Sequence, residues 1–340
     1  FEKRDWVPHS GWPITLDDLQ KFYRIAHDSL ELGEYDYEAS NWEKLGLTPL
    51  DFDRQKIRTR FWRFDHLAER FNSKRSEDLV RAQNVRVVLH ANTTGLRAAQ
   101  NAAGIDSLSA STMHGRRLEV KAGHFVLACG AIENARLLLS SNDVDKGGIG
   151  NQFDQVGRYF MEHPHGRVAH IETSDPAAFW ALHRKRFPEG GVPVAPAMVL
   201  PPALQQQLGI LNSAATFNLQ KDPERGASLS KRTYMNLKHA LSPTTSKRLL
   251  WQTWRGGLNW LQRHVSMPLL RTVVKAKRMN LYVMARAEQA PNPDSRVCLS
   301  TDRDALGCQR ADLDWRLSAL DKETMLQFGR VLGQEFDRLG

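Results

Sequence analysis

The sequence predicts a chain of mixed α/β and α+β character. Three observations predict it. Residues 125–141 run from an apolar stretch, FVLAC, through Gly130 into the helical repeat IENARLLLSS, the order of a strand, a glycine turn and a helix. In NVRVVLHAN, Val85, Val87 and Leu89 alternate as in a strand, and Gly95, Gly104, Gly115 and Gly123 punctuate the weaker alternation that follows. Helical patterns stand after Thr15 and after Asp321.

In chain order, Ser10-Gly11 and Pro13 mark a turn, and Thr15 is placed to cap a helix whose first turn carries Asp17 and Asp18, where the helix dipole favours acids. Leu19, Phe22, Tyr23 and Ala26 continue it at helical spacing. Residues 34–62 are aromatic and polar without a period and read as a long connection or lid. Residues 76–82 form a short helical pattern, and 94–124 a small meander. Residues 147–167 read as a glycine-rich loop, a short amphipathic piece and a His/Pro turn. Short strands and proline-rich loops fill 168–240. Strands are expected from Leu281 to Ala285, in SRVCLS and in ADLDWRL, before the helix that starts near Asp321.

At 340 residues the chain is long enough for about two domains. Its 41% hydrophobic and 25% charged residues match an ordinary globular protein and exclude a collagen-like or low-complexity one. No apolar run approaches the roughly 18 residues of a membrane-spanning helix. Cys129, Cys298 and Cys308 cannot all pair within one chain and no CxxC occurs, which argues against a disulfide framework and a cysteine zinc site. The opening Phe1-Glu2-Lys3-Arg4-Asp5 has no apolar core behind its charges, so no signal peptide is read there. Neither end reads as a natural terminus. The sequence is expected to be an internal piece of a longer protein, which leaves the compartment open.

The formal charge of +9 is unevenly spread: residues 225–287 hold thirteen basic residues and no acidic one. Trp251, Trp254, Leu258 and Leu261 lie on one face of a helix within that stretch, with Trp260 off the line. Such a stripe can pack on the protein, or the segment can dock on a membrane surface or an acidic polysaccharide. No recognised nucleic-acid motif accompanies it, and a nucleic-acid partner is not expected.

The strand–glycine–helix unit is the first feature with chemistry in reach. A glycine there lets backbone approach a ligand, and free N–H groups at the helix start favour an anion or ribose hydroxyls. Turns of this kind occur in any α/β protein, and neither GxGxxG nor GxxxxGK[ST] is present. His163-Pro164-His165 has metal-ligand spacing, but Pro164 and Gly166 argue for a turn with structural or pocket-lining histidines. No GxSxG exists, and Asp312 and Asp314 read as exposed edge residues rather than an acid/base pair.

Five segments in this order, SGWPITLDDLQKFY, VRVVLHANTTGL, VLACGAIENARLLL, GIGNQFDQVGRYFMEHPH and EQAPNPDSRVCLS with LDWRLSALD, resemble the glucose–methanol–choline oxidoreductases. These are FAD-dependent alcohol and sugar oxidases and dehydrogenases; the nearest resemblance is to a bacterial branch. The resemblance implies a partial FAD-binding domain interleaved with an antiparallel-sheet substrate domain. Residues 1–75 would be a lid or substrate-side helical segment, 76–150 the remnant of the FAD-binding domain, and 151–340 the substrate-binding domain.

The resemblance further implies that Ala91, Asn92 and Thr93 touch the adenine end of the flavin, and that Ala128, Cys129, Gly130 and Ala131 lie beside its adenosine. The family often has Val in place of Thr93, so a backbone contact is carried over there. Asn134-Ala135 replace the usual Ser/Thr-Pro. The family's GxGxxG unit and its catalytic-histidine segment are missing, so the acid/base residue is expected beyond Gly340 and this piece alone is not expected to turn over or to hold FAD tightly. Arg158, His163 and His165 are candidates for touching a small alcohol or polyol-like substrate. The aromatic stretch Tyr35, Tyr37, Trp42, Phe61 and Trp62 caps the site or simply packs. The implied reaction takes the hydroxyl proton of an alcohol while hydride passes to flavin. A binding module built on the basic stretch and an NAD(P)-dependent enzyme are the competing readings, the latter disfavoured by the missing fingerprint.

Overall fold

The computed structural model describes residues 2–65, 76–101, 103–220 and 280–340. Helix α1 (Leu16–Ser29) begins where its cap predicts. The Thr15 hydroxyl accepts from the Asp18 N–H at 3.3 Å, and the Asp18 carboxylate accepts from the Thr15 N–H at 2.8 Å. Its one buried residue, His27, ties it down: the ring nitrogens meet the Gly33 carbonyl at 3.2 Å and the Tyr37 hydroxyl at 2.5 Å, with Tyr35 edge-on. The stretch expected as a long connection instead contains α2 (Asn41–Lys44) and strand β1 (Arg58–Arg63). Phe61 and Trp42, both buried with ring centroids 4.9 Å apart, hold them together; charged residues on the other face of β1 hide its alternation.

After α3 (Glu77–Arg81) come β2 (Asn92–Ala98), β3 (Ile105–Ser111) and β4 (Arg117–Val120), the expected meander, which is antiparallel in the order β2-β3-β4. Helix α4 (Ala131–Ser140) packs on β2. Two expected strands do not form. Residues 85–89 and 124–128 are irregular, with Leu89 73% and Val126 89% exposed. A strand needs a neighbour for its N–H and C=O groups, and none of the described residues supplies one to these runs.

The remaining elements are β5 (His165–Ile171), α5 (Pro176–His183), β6 (Val194–Val199), α6 (Pro202–Leu208), β7 (Ser213–Gln220), β8 (Asn280–Ala287), β9 (Arg296–Arg303), β10 (Gln309–Asp314) and α7 (Ala319–Leu339). Five strands make an antiparallel sheet in the order β1-β6-β7-β8-β5, and β9 pairs with β10. Leu281, Val283, Ala285, Ala215 and Phe217 line one face of the large sheet and pack against Phe328, Val331 and Leu332 of α7. Mixed helices and antiparallel sheets put the described chain on the α+β side of the expectation.

Two titratable groups are built into this core. Burial pushes the Glu335 carboxyl up, but Arg338, the Asp53 N–H at 2.9 Å and Lys56 at 3.0 Å outweigh it and hold the group at about 2. His183 lies between Phe179 and Phe217; burial holds its pKa at about 4, against a bond to the Phe179 carbonyl that raises it and the Arg186 charge that lowers it further. Below about pH 6.5 the unfolded chain takes up a proton at this histidine that the folded chain refuses. Stability is therefore expected to be full above that pH and to fall by up to about 3 kcal/mol as pH drops to 4. His183→Phe should flatten the melting temperature across this window; an unaltered slope would refute the assignment.

Most of the basic stretch, including Trp251, Trp254, Leu258, Trp260, Leu261, Lys275, Lys277 and Arg278, lies outside the described residues. Among the described residues no helix is long and apolar enough to cross a membrane.

Candidate functional site

The residues expected at the cofactor sit on two packed elements. Asn92 and Thr93 open β2, directly after Ala91, and Ala128, Cys129 and Gly130 lead into α4 at Ala131. The far end of α4 is pinned to β2, where the Ser141 hydroxyl accepts from the Leu96 N–H at 2.9 Å. At the near end Gly130 has φ +91° and open space where a Cβ would stand, and no side chain caps the helix. Its first N–H groups therefore remain available to a ligand. Asn134 shapes the turn: its carboxamide oxygen accepts from the Cys129 N–H at 2.9 Å and its amide donates to the Leu127 carbonyl at 3.1 Å. Asn134 thus closes the loop from inside the helix.

Two of the resembling segments, far apart in sequence, form one unit. Residues 157–164 lie as a strap along 287–297. The Val297 N–H donates to the Gly157 carbonyl at 2.8 Å, the Phe160 N–H to the Ser295 carbonyl at 2.8 Å, and the Ala287 N–H to the Pro164 carbonyl at 2.9 Å. The Gln289 carboxamide accepts from the Glu162 N–H at 3.0 Å and from the Trp315 indole at 2.8 Å.

Beside this strap is a cleft of about 620 Å³. Its lining includes Arg4, His9 and Trp12 from the N-terminal turn, Tyr159 and His163 from the strap, and Glu288 after β8. Arg4 and Glu288 form an ion pair at 2.7 Å. His9 (φ +60°) and Tyr159 (φ +57°) both hold left-handed backbone, and their rings meet edge-on at 5.6 Å. Strained non-glycine residues facing one cavity are the pattern of a site whose side chains have been aimed. Carboxylates, imidazoles and aromatic faces around one opening suit a hydroxyl-bearing ligand. A larger cleft of about 980 Å³, lined by residues of the 184–193 loop, carries none of the expected site residues.

Of the three expected pocket residues, the structure puts His163 on this cleft. Arg158 is clasped by Asp154 and donates to the Pro293 carbonyl at 3.0 Å, where it holds the strap's entry. His165 starts β5 and belongs to the large sheet. Of the aromatic stretch, Trp42 and Phe61 are core residues and Tyr35 and Tyr37 hold His27, while Trp62 stands on the opposite face of β1 from Phe61, under Arg286. Asp312 and Asp314 are exposed on β10, as expected. Sequence reading missed His9, Tyr159 and Glu288. Trp12 and Tyr159 stand inside the resembling segments SGWPITLDDLQKFY and GIGNQFDQVGRYFMEHPH, the signal that could have found them. No known family model matches the chain, and no curated protein matches it.

Proposed function

We propose that this chain supplies the substrate-side sheet and part of the nucleotide fold of an FAD-dependent oxidoreductase of the glucose–methanol–choline type, which oxidises CH–OH groups of an alcohol or sugar. One observation carries the reading. The meander β2-β3-β4 is flanked by two apolar runs, 85–89, which is exposed, and 124–128, where Val126 is exposed and Phe125 and Leu127 are half-buried, and the second delivers Gly130 to an open helix start. Strands covered on both faces of a parallel sheet have the composition of these Val- and Leu-rich runs. A dinucleotide fold provides such a sheet, with the ligand at the strand ends.

The residues fit the adenosine end of FAD. Backbone at Ala91–Thr93 and the turn Ala128–Ala131 would hold it, with room at Gly130 that any side chain would take up. The pyrophosphate cradle is not among them, since the chain contains no GxGxxG. When bound, flavin supplies a two-electron acceptor for the hydride of the alcohol carbon. The chain's own contribution is to orient the substrate. Trp12 and Tyr159 offer ring faces, Glu288 is fixed by Arg4, and His163 presents an imidazole at the same opening.

The full-length protein is expected to purify with flavin absorbance and to oxidise an alcohol or sugar with an artificial electron acceptor. Gly130→Val should weaken FAD retention about tenfold or more, because a branched side chain at φ +91° strains the turn and fills the approach. A full-length protein that neither carries nor takes up FAD sinks the proposal.

A further inference from the structure

The large sheet has two faces, and only one is the core just described. Register assigns the other. Arg58, Arg60 and Trp62 of β1 share it with Thr216 of β7 and with Tyr282, Met284 and Arg286 of β8. On β5, His165 pairs with Arg286, Arg167 with Met284 and His170 with Tyr282. Arg58, Arg60, His165, Arg167, His170 and Arg286 are exposed. No Asp or Glu of the five strands points to this face. Among the described residues, carboxylates from outside the sheet reach it: Glu38 pairs with Arg60, and Glu172 stands 3.9 Å from His170.

The centre of the face is built rather than merely charged. β6 and β7 pair only at Met198 and Val199, so the sheet opens between its two halves. Arg286 reaches across that opening: its Nη1 donates to the Thr216 hydroxyl at 3.0 Å and its guanidinium lies 5.3 Å from the centre of the Trp62 ring. Beneath are small residues, Ala195, Ala197 and Ala214. Across the strand, Arg167 covers Tyr282 at 4.5 Å. A guanidinium anchored by a threonine hydroxyl and set over an indole ring keeps its fork in one place, and a fixed fork selects carboxylate or phosphate oxygens. The flanking indole face and threonine hydroxyl suit the rest of a polyhydroxylated ligand.

We propose that this face binds a small polyol bearing an oxyanion, a sugar acid or a sugar phosphate, with Arg286 on the anionic group, Trp62 against the carbon skeleton and His165 beside it. Charge complementarity selects the anion, and the polyol part rests on the CH–OH reading above. The site would make the protein discriminate acidic sugars from neutral ones.

The test is titration calorimetry on the intact chain, which needs no flavin and so is independent of the cofactor reading. Gluconate and glucose 6-phosphate are the anionic probes, and their relative affinities separate carboxylate from phosphate. Glucose and sorbitol are the neutral controls. At least one anionic probe should bind about tenfold or more tightly than glucose, and salt should weaken it. Arg286→Gln should abolish that preference while Arg286→Lys retains part of it. If Arg286→Gln fails to fold, Trp62→Ala reads the same site and should weaken both probes. Equal binding of gluconate, glucose 6-phosphate and glucose overturns the proposal, as does a preference that survives Arg286→Gln or, in its place, Trp62→Ala. So does binding confined to a long polyanion such as heparin or single-stranded DNA.

Discussion

Gly157→Ala is expected to destabilise the chain by about 4 kcal/mol or more, a large part of the stability of an ordinary domain. Gly157 has φ +86°, and a Cβ built there stands 2.3 Å from the Val297 carbonyl oxygen. The left-handed backbone alone costs a non-glycine residue about 1–2 kcal/mol. The clash adds more, because the obstacle is backbone and cannot rotate away. Relief requires the strap to lift from β9. That breaks the bond from the Val297 N–H to the Gly157 carbonyl and loosens the Phe160–Ser295 pair beyond it. Each buried bond lost without replacement costs about 1–3 kcal/mol. Urea denaturation followed by tryptophan fluorescence measures the effect. The control is Gly333→Ala, inside α7 with nothing within 4 Å of the added carbon, which should stabilise by about 0.5–1 kcal/mol. Similar midpoints for the two variants would show that the strap does not depend on Gly157. Tyr159 and His163 hang from the same strap, so the fraction of Gly157→Ala that still folds should lose ligand affinity at the cleft before it loses the sheet.

The elements that could be read from sequence are those whose signal is local. Thr15 with Asp18 and Ser318 with Asp321 are capping boxes, and both helices start there. Alternation in 281–285 gives β8, and the glycine spacing of 94–124 gives the meander. What escaped depends on distant partners. The apolar run 124–128 has the composition of a strand, but a strand is made by its neighbour, and none stands beside Val126 among the described residues. β1 escaped for the opposite reason: its Arg-Thr-Arg-Phe-Trp-Arg sequence looks like a polar loop until pairing with β6 sorts Phe61 inward and Arg60 outward. The cleft was legible at His163 and not at Tyr159 or His9, because left-handed backbone at a histidine or tyrosine leaves no mark in composition. The cationic sheet face was legible at His165 and Trp62 alone, since its arginines come from strands more than 100 residues apart and only register places them together.

Asp321→Ala is expected to cost about 3–4 kcal/mol, the second-largest effect, and to do so without disturbing any apolar packing. The carboxylate is buried and performs two tasks. One oxygen accepts from the Ser318 N–H at 2.6 Å, closing the capping box that starts α7, while the Asp321 N–H donates back to the Ser318 hydroxyl at 3.2 Å. The other accepts from the Ala290 N–H at 2.7 Å, tying the turn after β8 to the helix. Loss of a cap costs about 0.5–2 kcal/mol, and stranding the Ala290 N–H in a buried site adds about 1–3 kcal/mol. Asp321→Asn keeps one good acceptor and should cost about half as much. The same helix start has a second link to the neighbouring segment, where the Thr324 hydroxyl accepts from the Leu211 N–H at 3.1 Å. Thr324→Val removes that acceptor at nearly constant volume and should cost about 1–3 kcal/mol. The first link holds the 287–297 turn against α7, the second holds the segment before β7, which receives the Glu288 N–H at the Asn212 carbonyl at 2.8 Å, and the turn is what the strap lies on. Hydrogen exchange should therefore show Asp321→Ala exposing the Glu162 and Val297 amides well before those of β7. Uniform deprotection of all three would mean that the helix start, turn and strap are not a separate cooperative unit.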